Sequence, residues 1–331
     1  MKKIIALFLC FALVTGCSKN SSPEPDVTAR ELTETGAAPD ETQAVTTTAA
    51  TESTETYKPV LPLLAIDELP RIDGSTSAIP LVEALYALMT DIPREKAAEL
   101  VNFSGTTESY YNVVKEYRDL LVSGAVKGMV KVEHGFSTDT VSTDSLQLAP
   151  ICRDGLVFIV NQSNPVDSIT TEQIQKIYTG EITNWKELGG ENVAIEPFQR
   201  NASAGSQAWF LELVMKDIEP MKADVKYYAQ GMSPLIAAIA SFNGTGAAIG
   251  YSVYYYAQNI NPGEGLKFLN VDGVQPTRDT IRDGSYPHIS DYYAGIRKAA
   301  PSDSVEREIF NWIQSDEGKT LIEHEGYVAV D

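Results

Sequence analysis

The sequence predicts an α/β fold with largely parallel sheets, and two observations carry that expectation. Short apolar runs that suit strands alternate with stretches of helical spacing, and glycine–hydroxyl loops stand where strands hand over to helices. The length, 331 residues, suffices for two α/β domains of ordinary size or one large one. The expected strands, in order, are residues 129–133, 156–160, 193–198 and 266–270. Helical spacing shows at Leu81, Leu85, Leu88 and Met89 after Pro80, and again at Tyr110, Val113, Val114, Tyr117 and Leu121. No internal repeat and no coiled-coil heptad interrupts the alternation.

Composition excludes several function classes. The chain is 43% hydrophobic and 21% charged, as soluble globular proteins are. Lys and Arg number 26 against 45 Asp and Glu, for a net charge of −19. A surface that acidic repels a phosphate backbone, so no nucleic-acid partner is expected. One small anion in one well-shaped site stays compatible with it. Of the three cysteines, Cys10 and Cys17 lie in a leader, which leaves Cys152 alone and no intrachain disulfide in the mature part. Cys152 reads as a buried thiol. His134, His288 and His324 are scattered without HxxxH or HExxH spacing, so neither a metal nor any other cofactor is expected.

Residues 1–17 read as a secretion signal: Lys2 and Lys3, then the apolar run 4–14, then the small-residue exit Val14-Thr15-Gly16-Cys17. The apolar run is about half the roughly twenty residues that a membrane-spanning helix needs. The V-T-G-C exit resembles a bacterial lipobox, in which the cut falls before the cysteine and its thiol carries a diacylglycerol. An ordinary signal peptide with an incidental cysteine is the alternative. The polar stretch that follows Cys17 favours a lipid-anchored protein on the outer face of the cytoplasmic membrane. Residues 18–57, rich in Thr, Ala and Glu, have almost nothing to bury and are expected to be a disordered tether.

Three loops of one kind carry the functional signal. Asp73-Gly74-Ser75-Thr76-Ser77 precedes the helix near Pro80. Phe103-Ser104-Gly105-Thr106-Thr107 precedes the helix of Tyr110. Arg200-Asn201-Ala202-Ser203-Ala204-Gly205-Ser206 precedes the helix of Trp209, Phe210 and Leu213. At a helix N-terminus the first N–H groups are unpaired and the dipole is positive, so an anion is held without a formal charge. Glycine lets the backbone approach, hydroxyls add donors, and Arg200 adds a charge-assisted pair. The bland alternative is that these Ser and Thr are ordinary N-caps.

The stretch from Ile177 through Trp185 to Gly190, with sequence IYTGEITNWKELGG, resembles a segment of the phosphate-binding proteins of Pst-type ABC transporters. The likeness continues through Arg200–Ser206, which corresponds to that family's R-x-x-x-S-G-T loop. It extends to Gly246-Ala247-Ala248-Ile249-Gly250-Tyr251, to Ser285-Tyr286-Pro287, to Ser315-Asp316-Glu317-Gly318 and to Gly326-Tyr327-Val328. Residues 73–80 look like the family's opening G-S-T-S-x-x-P-L.

The resemblance implies a two-lobed type II periplasmic-binding-protein fold: two α/β lobes joined by two hinge strands, with the ligand in the interlobe cleft. On that pattern lobe 1 comprises 58–152 plus 250–331, and lobe 2 comprises 153–249. It further implies a receptor that captures inorganic phosphate or a related small oxyanion and delivers it to ABC transporter permease subunits; a monomer on a tether is the simplest expectation. The carried-over ligand residues are Ser75, Thr76 and Ser77, then Thr106, then Arg200, Gly205 and Ser206. Phosphate selection in the family also uses an acceptor carboxylate, because phosphate at neutral pH keeps a proton to donate whereas sulfate does not. The position expected to supply it is Glu133, with Asp139 second.

Three departures stand out. The serine of S-G-T is Ala204, with Ser203 beside it as compensation, and the acid that orients the arginine is Ala202. Lys127-Gly128 stands where an aspartate is usual. These leave two alternatives open: a binding module for another small anion, and a sensor or adhesion lipoprotein without a transport role. A hydrolase is disfavoured by the lack of G-x-S-x-G and of a histidine near any loop. Trp185, Trp209, Trp312 and the tyrosines at 254–256 and 292–293 are read as packing or hinge residues.

Overall fold

In the computed structural model the described residues run from 61 to 330, without 62, 127, 135–136, 223–227, 230–231, 242–246, 261 and 263–264. The expected leader, Cys17 and the whole expected tether lie outside them. The chain enters through β1 (Ile72–Gly74), α1 (Ile79–Thr90), α2 (Arg94–Ala98), α3 (Thr106–Val114) and β2 (Leu120–Gly124). The strands β3 (Met129–His134), β4 (Ser137–Ser142), β5 (Leu146–Asn161) and β6 (Ser168–Ile169) follow, then α4 (Thr171–Thr179). Next come β7 (Glu196–Pro197), β8 (Gln199–Arg200), α5 (Gly205–Trp209), β9 (Tyr228–Ala229), α6 (Met232–Ser241) and β10 (Ala248–Val253). The last part holds β11 (Leu266–Phe268), β12 (Asn270–Val271), α7 (Arg278–Arg282), β13 (Ile289–Arg297), α8 (Val305–Trp312), α9 (Asp316–His324) and β14 (Val328–Ala329).

Local chemistry sets the helix ends. Pro80 sits in the first turn of α1, where its missing N–H costs nothing, and Asp91 in the left-handed region stops that helix. Thr170 and Gln173 form a reciprocal capping box on α4, and Gly180 at φ 83° terminates it. The helix expected to run on to Tyr117 and Leu121 ends at Val114. Glu116 turns left-handed at φ 64°, and Leu121 already belongs to β2.

The main sheet has the order β1-β2-β13-β5-β10-β7, with β11 and β14 also paired to β5. The sixteen-residue β5 serves both halves. Its first part, Leu146–Gly155, pairs with β13, and Leu156–Val160 pairs with β10. From Leu156 to Asn161 every residue is buried, as a strand covered on both faces requires. The expectation of a largely parallel sheet is corrected here. β1 with β2 and β10 with β7 are parallel, but every strand paired to β5 runs antiparallel to it. The reason is topological: β10 and β13 run back past the long β5, although α4, α5 and α6 lie between β5 and β10.

The other expected strands are shorter than their apolar runs. Residues 193–198 keep only β7, at the sheet edge, where Pro197 lacks a ladder N–H. Residues 266–270 split between β11 and β12, which joins β6 instead. Residues 129–133 form a strand, but in a two-stranded hairpin with β4, off the main sheet. Cys152 is a buried free thiol within β5, raised well above its ordinary pKa by burial.

Candidate anion-binding site

All three glycine–hydroxyl loops open onto one cavity of about 520 Å³. Ser75, Thr76 and Ser77 contribute from the first loop, Thr106 from the second, and Arg200, Ser203, Gly205 and Ser206 from the third. The N-cap reading fails at the positions that matter. Ser75 caps no helix N–H with its side chain, and the N-cap residues of α3 and α5 are Gly105 and Ala204, which have no side chain to do so.

Buried Asp73 builds the first two loops into one unit. Its Oδ1 accepts from the backbone N–H of Gly74 at 2.8 Å and of Ser104 at 2.7 Å. Its Oδ2 accepts from Ser104 Oγ at 2.6 Å and Asn112 Nδ2 at 2.8 Å. Gly105 N–H donates to Gly74 O at 3.2 Å, so the two turns lie back to back. Gly74 is obligatory, because a Cβ there would collide with the Val122 carbonyl and the Phe103 ring. Ser77 is fixed on two sides, its hydroxyl 2.5 Å from Tyr292 OH and its carbonyl accepting from Tyr327 OH at 2.7 Å.

Arg200 comes from β8 and is buried. Its backbone N–H reaches Gln207 Oε1 at 3.1 Å and Tyr251 OH at 3.2 Å, and Tyr251 OH itself donates to Gln207 Oε1. The guanidinium donates to Ala229 O at 3.3 Å and toward Ser206 Oγ at 3.4 Å. These contacts orient the guanidinium, a role that an acid at the position of Ala202 would otherwise fill. The third loop also meets the second directly. Thr107 Oγ1 donates to Ser203 O at 3.0 Å, and Thr106 Oγ1 sits where a side chain on Gly205 would stand.

Glu133 does not reach this cavity. Val130 and Val132 face α3 and are buried, so the two-residue period of β3 turns Lys131 and Glu133 outward to solvent. Asp139 is also elsewhere: it accepts from Tyr111 OH at 2.7 Å and pairs with Lys115 at 3.3 Å. Those two contacts hold its carboxyl below the usual range. Among the described residues the acid that lines the cavity is Glu108, in the first turn of α3.

Sequence reasoning missed several other lining residues, including Asn201, Gly124, Trp209, Met232, Tyr256 and Tyr292. One signal was present. Trp209 follows Gly205 and Ser206 by one helical turn, which places all three on one face.

A family model described as a PBP superfamily domain matches residues 131–318, more than half of the chain. The chain belongs to the PBP superfamily. Among curated relatives, a phosphate-binding protein PstS of Borreliella burgdorferi is 23% identical over 278 residues, covering 80% of this chain and 91% of that protein. A PstS of Staphylococcus haemolyticus is 32% identical over 186 residues, 54% of this chain and 56% of that one. The chain thus spans about half the length of the Staphylococcus relative that it matches. Two solved structures share the fold. An ABC-type phosphate transport receptor from Vibrio cholerae superposes with a TM-score of 0.56 at 23% identity, covering 78% of this chain and 98% of that one. A substrate-binding protein of Clostridium perfringens with bound phosphate does so at 0.59 and 25%, with the same coverage. The PBP superfamily fold of this chain is accordingly the two-lobed α/β architecture, and the cavity is where its three helix-opening loops converge.

Proposed function

We propose that this protein is an extracytoplasmic substrate-binding protein that captures inorganic phosphate and delivers it to the permease of an ABC transporter, tethered by a lipid on Cys17. The observation that carries the reading is the convergence of three helix-opening loops and buried Arg200 on one cavity. The phosphate-binding and phosphate-transport proteins among its relatives support it. Ser75, Thr76, Ser77, Thr106, Ser203, Gly205 and Ser206 supply N–H and O–H donors, and Arg200 supplies the cation.

Capture needs no bond-making chemistry. The ligand exchanges water for oriented donors within a weakly screened cleft, and its gain comes from contacts with both lobes at once. We place the lobes at 58–152 with 250–331, and at 153–249, with β5 as one of the hinge strands. Calorimetric titration of anion-stripped protein with phosphate tests the reading. Saturable heat at one site per chain is expected; no heat and no thermal shift would overturn it.

A further inference from the structure

Among the described residues, three buried polar side-chain atoms without a hydrogen-bond partner belong to residues on the wall of this one cavity: Ser75 Oγ, Asn201 Oδ1 and Trp209 Nε1. Trp209 is only 2% exposed and Ser75 only 7%. Leaving such groups unpaired inside a protein is costly, and because the atoms are shielded here, a ligand reaches them only with a small shift of the loops and then gains the hydrogen bonds they lack. Their chemistry is not uniform. An indole N–H only donates and a serine hydroxyl donates readily, whereas an amide oxygen only accepts. The matching ligand offers acceptor oxygens to Trp209 and Ser75 and one proton to Asn201.

The setting of Trp209 is built for this. Its ring packs edge-on against Tyr292 at 5.4 Å between centroids, and a Cβ on Gly124 would lie 3.4 Å from Nε1. Gly124 and Trp209 thus lie side by side on the cavity wall. Asn201 follows Arg200 in the chain, and both residues line the same cavity.

We infer that Trp209 and Asn201 are specificity-determining ligand contacts: Trp209 donates to an oxyanion oxygen, and Asn201 reads the proton of a monohydrogen oxyanion through a neutral amide. The inference rests on the phosphate-receptor reading. A carboxylate acceptor repels a fully deprotonated tetrahedral anion, but an amide carries no charge and turns its NH2 toward such an anion by rotating about χ2. The site therefore prefers hydrogen phosphate to sulfate only modestly, on the order of tenfold, the worth of a single hydrogen bond.

The test uses the full chain, stripped of anion, with inorganic phosphate and sulfate as probes. Trp209→Phe keeps an aromatic ring in place and removes the N–H; phosphate binding is expected to weaken about tenfold. Trp312→Phe is the control, because Trp312 Nε1 is likewise buried without a partner but is away from the cavity. In a ¹⁵N-labelled sample the Trp209 indole resonance is expected to move on phosphate addition while that of Trp312 stays. Asn201→Asp is expected to raise the phosphate-to-sulfate affinity ratio, and Asn201→Leu to lower both the ratio and phosphate affinity. Phosphate that binds tightly with unchanged affinity and ratio in the Trp209 and Asn201 variants would sink this inference and leave the receptor standing. Failure of wild-type protein to bind phosphate would remove both.

Discussion

Arg200 owes its value to where its neighbours hold it rather than to its charge alone. Its backbone is pinned by Gln207 and Tyr251 and its guanidinium by Ala229 and Ser206, so little freedom remains to be lost when an anion arrives. Arg200→Ala is expected to weaken phosphate binding more than tenfold with the fold intact, read by titration beside a circular-dichroism melt. A second residue-scale expectation concerns stability. Asp154 is buried in β5 and caps the turn after β10 by accepting from Tyr255 N–H at 3.1 Å; burial lifts its pKa to about 7. The native state thus binds its proton more tightly than the unfolded chain does, and stability falls as pH rises from about 4 to about 7. The loss is on the order of 4 kcal/mol. Buried His288 works the other way: burial lowers its pKa to about 4, so stability is lost as pH falls below about 6.5. The two trends offset each other over most of that range. Asp154→Asn keeps the acceptor and removes the charge. It is expected to match the parent at pH 4 and exceed it by a few kcal/mol at pH 8, measured by urea unfolding at both.

At the scale of elements, the loop–helix junctions decide the site. Gly205→Ala would drive a methyl into Thr106 Oγ1 and pry the second and third loops apart, so phosphate affinity is expected to fall about tenfold with little change in Tm. Glu133→Gln, on the outward face of β3, is expected to leave phosphate affinity unchanged by titration. Those two positions also mark what sequence makes legible. A glycine and hydroxyls immediately ahead of a helix are a local pattern, and Ser75, Thr106 and Gly205 were visible in it. Whether a strand stays with the main sheet is a non-local matter, so nothing near Glu133 revealed that β3 folds into a separate hairpin. The alternation of Val130 and Val132 puts Glu133 on the opposite face of the strand, but only the packing of α3 settles which face is covered. The antiparallel pairings of β5 were hidden for the same reason, because strand direction is settled by partners as distant as β13 and β14. Asn201 and Trp209 stood inside a recognised loop and helix, but only the assembled cavity shows that their polar atoms lack partners.

For the whole molecule, a net charge of −19 opposes anion approach from far away, whereas the donors act at contact distance. Salt is therefore expected to speed association while shifting Kd by no more than roughly threefold between low and moderate ionic strength, by stopped-flow and titration. The architecture of β5 also governs how the chain acquires its structure. This strand is made early, yet its partners β10, β13 and β14 come from late in the sequence. During synthesis β5 thus emerges as an apolar ribbon with no sheet to join, and folding waits on contacts of high sequence separation. A ribosome-bound chain halted before residue 289 has a central strand half unzipped. It gains its cleft only once the late strands have followed.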